Sequence, residues 1–293
     1  MRSGTTFLAN FLNSQNDMYV HADMLISLFM EGQALKIKNI DEQLTDKQKN
    51  ILFSNFIQQG KIHDLDFSGI NRKKTNSWWE IFNEAMYVMQ THHPASLIGI
   101  KRTNEEKYLR QLLDKGVKVI YCYRDPRDVL YSASNRFSGF NSFKSADNLK
   151  KNIKFALTLK NKPGFFFLKY EDLILEKEKT AAALSQFVSM PVHTELTELK
   201  FGLSKKYQDN SSFGDVKKLF DETAVYRWKN NTDAKEVLLA DVLLKHEIEE
   251  LGYEKSYALN KKKSKEILKQ YQSYSIKTKL KNFVKSKFSK LIS

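Results

Sequence analysis

The chain has 293 residues, is 41% hydrophobic and 12% aromatic, and carries a formal net charge of +14. That length and apolar content suit one large α/β domain or two small ones and exclude wholesale disorder. No apolar run approaches the roughly 18–20 residues that span a bilayer, no signal peptide precedes the first motif, and the single cysteine, Cys122, excludes an intrachain disulfide or a cysteine-rich metal site, so the expected setting is reducing and cytoplasmic.

In chain order, apolar residues at 7, 8, 11 and 12 predict a helix over 6–13, opened by the turn Arg2-Ser3-Gly4-Thr5-Thr6. Residues 41–95 read as helical and irregular, with the pair Trp78-Trp79 inside them. Leu97 to Lys101 is a short strand, Glu105 to Lys115 a helix capped by Gly116, and Val117 to Tyr123 a strand rich in β-branched and aromatic residues that buries Cys122. Asp125-Pro126 starts the next helix, Asp as N-cap and Pro at the first helical position. Phe165 to Leu168 is another buried strand, and 177–190 and 234–251 are amphipathic helices, the second stopped by Gly252. Strands alternating with helices predict a parallel sheet covered by helices on both faces.

Two segments bear on chemistry. At the first, a Ser/Gly/Thr turn aims free backbone N–H groups and the positive end of a helix dipole at one spot, which suits a phosphate or a sulfate. At the second, a strand ends in Arg124 and the following helix carries Ser132 eight positions on. A guanidinium fork on a rigid strand end, with a hydroxyl nearby, suits a dianionic phosphate. Taken together, these segments resemble the PAPS-dependent sulfotransferases of the bacterial and Golgi type, which move a sulfuryl group from 3′-phosphoadenosine 5′-phosphosulfate to a hydroxyl or amine. The resemblance covers roughly residues 1–254 and implies a three-layer, P-loop-like α/β fold.

It also implies roles. Arg2 would contact the sulfuryl or bridging oxygen, and Ser3, Gly4, Thr5 and Thr6 the 5′-phosphate. Arg124 and Ser132 would grip the 3′-phosphate, with Arg127 and Asp128 structural or peripheral. Tyr170, in the strand-end run Tyr170-Glu171-Asp172-Leu173, would lie against the adenine, its alternative being a core aromatic. Arg227 and Lys229 of Tyr226-Arg227-Trp228-Lys229 would reach the cofactor's phosphate. Attack on sulfur needs a base. Thr103 stands where cytosolic members of the family have a histidine. The carbohydrate- and protein-modifying members use a carboxylate after the first helix, which makes Asp23 the candidate, with Glu31 and His21 in reserve and a helix N-cap as the bland role for Asp23. Lys101 would neutralise charge on the leaving phosphate. Members of the family also carry an apolar strand and a Gly-containing turn before the loop. Met1 stands where that turn should end, so the first strand is absent from this sequence, and either the true start lies upstream, which is the expectation, or the domain lacks a central strand.

Two other readings compete. A P-loop kinase or NTPase would have a lysine where Thr5 stands. A non-enzymatic membrane- or nucleic-acid-binding protein would explain the lysines and neither motif. From Lys261 to Ser293 there are eleven lysines and one acid, Glu266, so ten of the fourteen net charges lie there. The expected organisation is a sulfotransferase domain over 1–258 and a basic amphipathic tail over 259–293, suited either to an anionic membrane surface or to plain solvation. The donor would be 3′-phosphoadenosine 5′-phosphosulfate with no metal and no nucleic-acid partner. The acceptor would be hydroxyl-bearing, a glycan or glycolipid, with Trp78-Trp79 either stacking on a sugar or sitting in the core.

Overall fold

A computed structural model describes residues 3–22, 25–62, 64–103, 106–196, 220–255 and 261–291, with backbone alone at 22, 62, 261 and 281–291. The elements run α1 (Thr5–Asn13), β1 (Met18–Ala22), α2 (Ile26–Ala34), α3 (Asp46–Ile62), α4 (Trp78–His92), β2 (Leu97–Lys101), α5 (Glu106–Asp114), β3 (Val119–Tyr123), α6 (Pro126–Arg136), α7 (Ser142–Leu157), β4 (Phe165–Lys169), α8 (Tyr170–Leu175), α9 (Lys177–Val188), α10 (Lys235–Leu243), α11 (Lys245–Glu250) and α12 (Lys261–Leu291). Short 3₁₀ turns occupy Glu222–Ala224 and Arg227–Asn230. The chain divides into two compact units, one of residues 4–123 and 159–221, the other of 1–3, 124–158 and 222–293.

In the first unit the strands pair in parallel, as expected. They form two separate two-stranded sheets, however, in place of one continuous sheet. β1 runs beside β2 from Met18↔Leu97 to Ala22↔Lys101, and β3 beside β4 from Val119↔Phe165 to Tyr123↔Lys169. Among the described residues, β2 and β3 are each paired along one edge only. α1 packs on β1, and the Asn13 side chain brackets Val20, donating to its carbonyl at 3.0 Å and accepting from its N–H. β1 is an element that the sequence pattern does not disclose, because Met18-Tyr19-Val20-His21-Ala22 is short and interrupted by a histidine.

The core of this unit lies under α2, α3, α4 and α5 and is strongly aromatic, with Phe29, Phe53, Phe56, Phe67, Trp78 and Tyr108 all buried. α4 opens on a capping box in which Ser77 accepts from the Glu80 N–H and Glu80 reaches back to the Ser77 N–H. Trp78 is fully buried, stacks on Tyr108 at 5.0 Å and donates its indole N–H to the Leu28 carbonyl. It is therefore a core side chain and not a sugar platform. Cys122 is buried in β3, as its apolar neighbours imply.

In the second unit α6 packs on α10 and α7, and α12 lies along α10. The helix expected over 234–251 is two helices, broken at Leu244 (φ −116°, ψ 17°). Glu247 of α11 is buried with Lys150 and Lys154 of α7 each at 3.6 Å, a charge kept inside by two partners. The N-terminal half of α12 is docked: Ile267 is buried, Tyr271 and Tyr274 contact the Phe143 ring, and the Tyr271 hydroxyl donates to Asp147 at 2.6 Å. Among the described residues, no helix is long and apolar enough to cross a membrane.

The bond to Asp147 holds the Tyr271 phenol in its protonated form and pushes its pKa up to about 12. Because the folded value is raised, the contact is fully present below the ordinary tyrosine pKa of about 10 and is lost as pH climbs toward 12. Tyr271→Phe keeps the ring contact and removes the bond. Amide exchange over residues 262–275 should then accelerate roughly fivefold, and the mutant should lose the alkaline sensitivity of the wild type.

Candidate functional site

Apart from Ser3, which the division at Gly4 leaves with the second unit, the described candidate residues fall into two groups, one in each unit, and each group has its own geometry. In the first unit the loop before α1 is shaped by Gly4, which adopts φ +85° as the helix N-cap. That left-handed conformation favours glycine. A Cβ at Gly4 would also stand 2.1 Å from Cδ2 of Tyr170, so the Tyr170 ring lies directly against the loop. Tyr170 is buried and meets Phe7 edge-on at 6.3 Å. Gly4 has no side chain with which to cap the helix, and the first intrahelical bond runs from the Leu8 N–H to the Gly4 carbonyl. The amides of Thr5 and Thr6 belong to that first turn. Lys101 ends β2, in register with Ala22 at the end of β1.

Arg2 and Asp23 lie outside the described residues. The two reserves for the base can be placed. Glu31 of α2 accepts a hydrogen bond from the Asn55 amide at 2.9 Å. His21 of β1 is buried in a ring cluster, 4.6 Å from Tyr19 and 5.0 Å from His93. His93 is half-buried and stacks on Tyr19 at 3.8 Å. Burial and the neighbouring His92 push its pKa down.

In the second unit the turn into α6 forms as the sequence predicts: Asp125 caps the helix by accepting from the Arg127 N–H, with Pro126 at the first position. Asp128 and Ser132, four apart, share one face of α6, and Arg124 stands two residues before the helix begins. Ser132 and Asp128 are buried, and Arg124 is 8% exposed. Asp128 divides its carboxylate. One oxygen accepts from Arg124 Nη2 at 3.0 Å and the other from the Trp228 N–H at 2.9 Å. Arg124 also donates to the Ala224 carbonyl. Burial raises the Asp128 pKa, against the opposing pull of the Arg124 charge and the Trp228 N–H.

Asp128 is thus structural, one of the two roles expected of it. It fixes the guanidinium expected to meet a phosphate, and its spacing of four from Arg124 was the available sequence signal. Arg127 is structural, as expected. It is fully buried, bonded through Nε and Nη2 to the two oxygens of Asp125 at 2.9 and 2.7 Å, and stacked on the Trp228 ring at 3.5 Å. Arg227 donates from Nε to the Thr223 carbonyl, and Lys229 pairs with Glu254 at 3.0 Å on the surface. Among the described residues no group of three or more His, Cys, Asp or Glu side chains is arranged to hold a metal ion.

Asp128→Asn keeps the shape and cannot accept from both partners at once. Leaving one buried donor unsatisfied should lower unfolding stability by about 1–3 kcal/mol, read as a fall in the denaturant midpoint at unchanged slope.

The sequence profile described as "Sulfotransferase domain" matches residues 1–252. Among solved structures, the "Sulfotransferase Domain from the Curacin Biosynthetic Pathway" superposes with a TM-score of 0.52 at 17% identity, over 87% of this chain and 95% of that one. The "Sulfotransferase Domain from the Synechococcus PCC 7002 Olefin Synthase" gives 0.46 at 15% identity, over 78% and 84%. No curated protein sequence matches this chain. With a family profile covering most of its length and a matching fold in the first of these structures, the chain belongs to the sulfotransferase domain family.

Proposed function

We propose that this domain, taken as residues 1–258, transfers a sulfuryl group from 3′-phosphoadenosine 5′-phosphosulfate to a hydroxyl or amine of a glycan, glycolipid or other small acceptor, without a metal ion. The observation that carries the donor assignment is an arginine held from two sides, by Asp128 and by the Ala224 carbonyl, with the buried Ser132 on the helix that follows. A guanidinium fixed in this way suits a dianionic phosphate better than a freely rotating surface arginine would. The proposed fold is a three-layer P-loop-like α/β arrangement, and the two parallel strand pairs are consistent with it.

In this reading Arg124 and Ser132 take the 3′-phosphate, with Arg227 and Lys229 as further cations near it. The amides and hydroxyls at Ser3, Gly4, Thr5 and Thr6 take the 5′-phosphate. Tyr170 holds the loop through its contact with Gly4 and stands beside the adenine. Arg2 meets the sulfuryl oxygens. The acceptor oxygen attacks sulfur, the bond from sulfur to the bridging phosphate oxygen breaks, and the acceptor's proton passes to Asp23. Lys101 offsets the charge that develops on the departing phosphate.

Two measurements test the reading. Arg124→Ala should weaken binding of adenosine 3′,5′-bisphosphate by about 2–4 kcal/mol in calorimetry while leaving 5′-AMP nearly unaffected. Equal binding of the two nucleotides by the wild type would overturn the 3′-phosphate assignment, and tighter binding of ATP with Mg²⁺ would favour phosphoryl transfer instead.

Asp23→Asn should lower kcat by about 10²–10⁴ with bisphosphate affinity retained. Full activity in that variant, with loss in Glu31→Gln or His21→Asn, would move the base along the same segment.

A further inference from the structure

α12 presents two apolar faces that point in opposite directions. At about 100° per residue, Ile267, Tyr271 and Tyr274 fall on one side, and these are the residues that dock on Phe143 and Asp147. Ile276 and Leu280 fall on the other side and are 60% and 59% exposed. The helix continues unbroken to Leu291. Over 276–291 the sequence repeats apolar residues at 276, 280, 283, 284, 288 and 291, within an arc of about 140° on a helical projection. Lysines 281 and 285 border that arc on one side and 279 and 290 on the other, with 277 and 287 inside it, and the stretch contains no acid. The remaining sector holds Thr278, Asn282, Ser286 and Ser289, all neutral and polar.

We infer that residues 276–291 lie in the plane of an anionic lipid surface and that residues 261–275 of the same helix fasten the enzyme to it. On a helical projection, an apolar arc bordered by lysines and backed by neutral polar residues is the sequence pattern of a helix that lies at an anionic interface. A nucleic-acid duplex would leave the apolar arc without a partner, since its affinity comes from phosphates. A second copy of the helix would bring six further lysines against these six. The inference is independent of the transfer reaction.

The test uses the full chain and sedimentation with vesicles of phosphatidylcholine alone or with 30 mol% phosphatidylglycerol. Partition onto the anionic vesicles should exceed that onto the neutral ones at least about tenfold, and should fall about tenfold or more as salt rises from 50 to 500 mM. The double substitution Ile276→Asn with Leu280→Asn should cut anionic partition at least about tenfold. Its thermal melt should stay unchanged, because both side chains are exposed. Lys279→Glu with Lys281→Glu should weaken partition comparably at low salt. Failure of the wild type to sediment with anionic vesicles at 50 mM salt would overturn the inference. So would unaltered binding in the asparagine variant. A dimer in light scattering that this variant abolishes would assign the face to a second copy, and duplex DNA binding lost in the same variant would assign it to nucleic acid. Either result would also overturn the inference.

Discussion

Charge buried at one turn governs the second unit. Where the chain leaves β3, Asp125 and Arg127 are both withdrawn from water and bonded to each other through two oxygens and two nitrogens. A buried pair of this kind recovers its desolvation cost only with near-ideal geometry and further partners. Those partners come from elsewhere in the chain: the Trp228 ring stacks on the guanidinium, and Asp241 of α10 stands 3.4 Å from it. The start of α6, the turn at 227–230 and α10 are thereby tied to one ion pair. One residue further along, Asp128 uses the same scaffold to hold Arg124. The rigidity of Arg124 is a by-product of charges that cannot be left loose.

The loop before α1 is constrained by shape in place of charge. Its glycine is demanded twice, once by a left-handed backbone and once by an aromatic ring where a Cβ would go. Tyr170 begins α8 immediately after β4, so the end of that strand delivers its ring to the loop. Position 4 therefore has essentially no neutral substitutions, and the serine and threonines around it inherit a fixed backbone path.

Much of this was legible beforehand. The helix opened by Ser3-Gly4-Thr5, the strands at 97–101 and 119–123 and the cap at Asp125-Pro126 all stand where local pattern puts them, because each is set by short-range chemistry. α7 escaped notice even though Asn141 caps it, its lysine-rich surface diluting the apolar repeat. β1 escaped because a five-residue strand carrying a histidine differs little from a loop until its partner 97–101 arrives. The weight of Asp128 was hidden for a similar reason. Its second bond goes to a backbone amide a hundred residues away, which no local spacing reveals. In α12 the lysines signalled charge, and only tertiary packing separates the docked Ile267 and Tyr271 from the exposed Ile276 and Leu280.

The parallel pairing of β1 with β2 has a kinetic side. Its register joins residues about eighty positions apart in the chain, and the intervening stretch holds α2, α3, α4 and the aromatic core beneath them. Closing so long a connection costs chain entropy before any ladder bond forms. The helical insert, rich in local contacts, should therefore condense early and act as a spacer that delivers β2 to β1. Lesions in Trp78 or Phe56 would then register as slow assembly of the strand pair as well as lost stability.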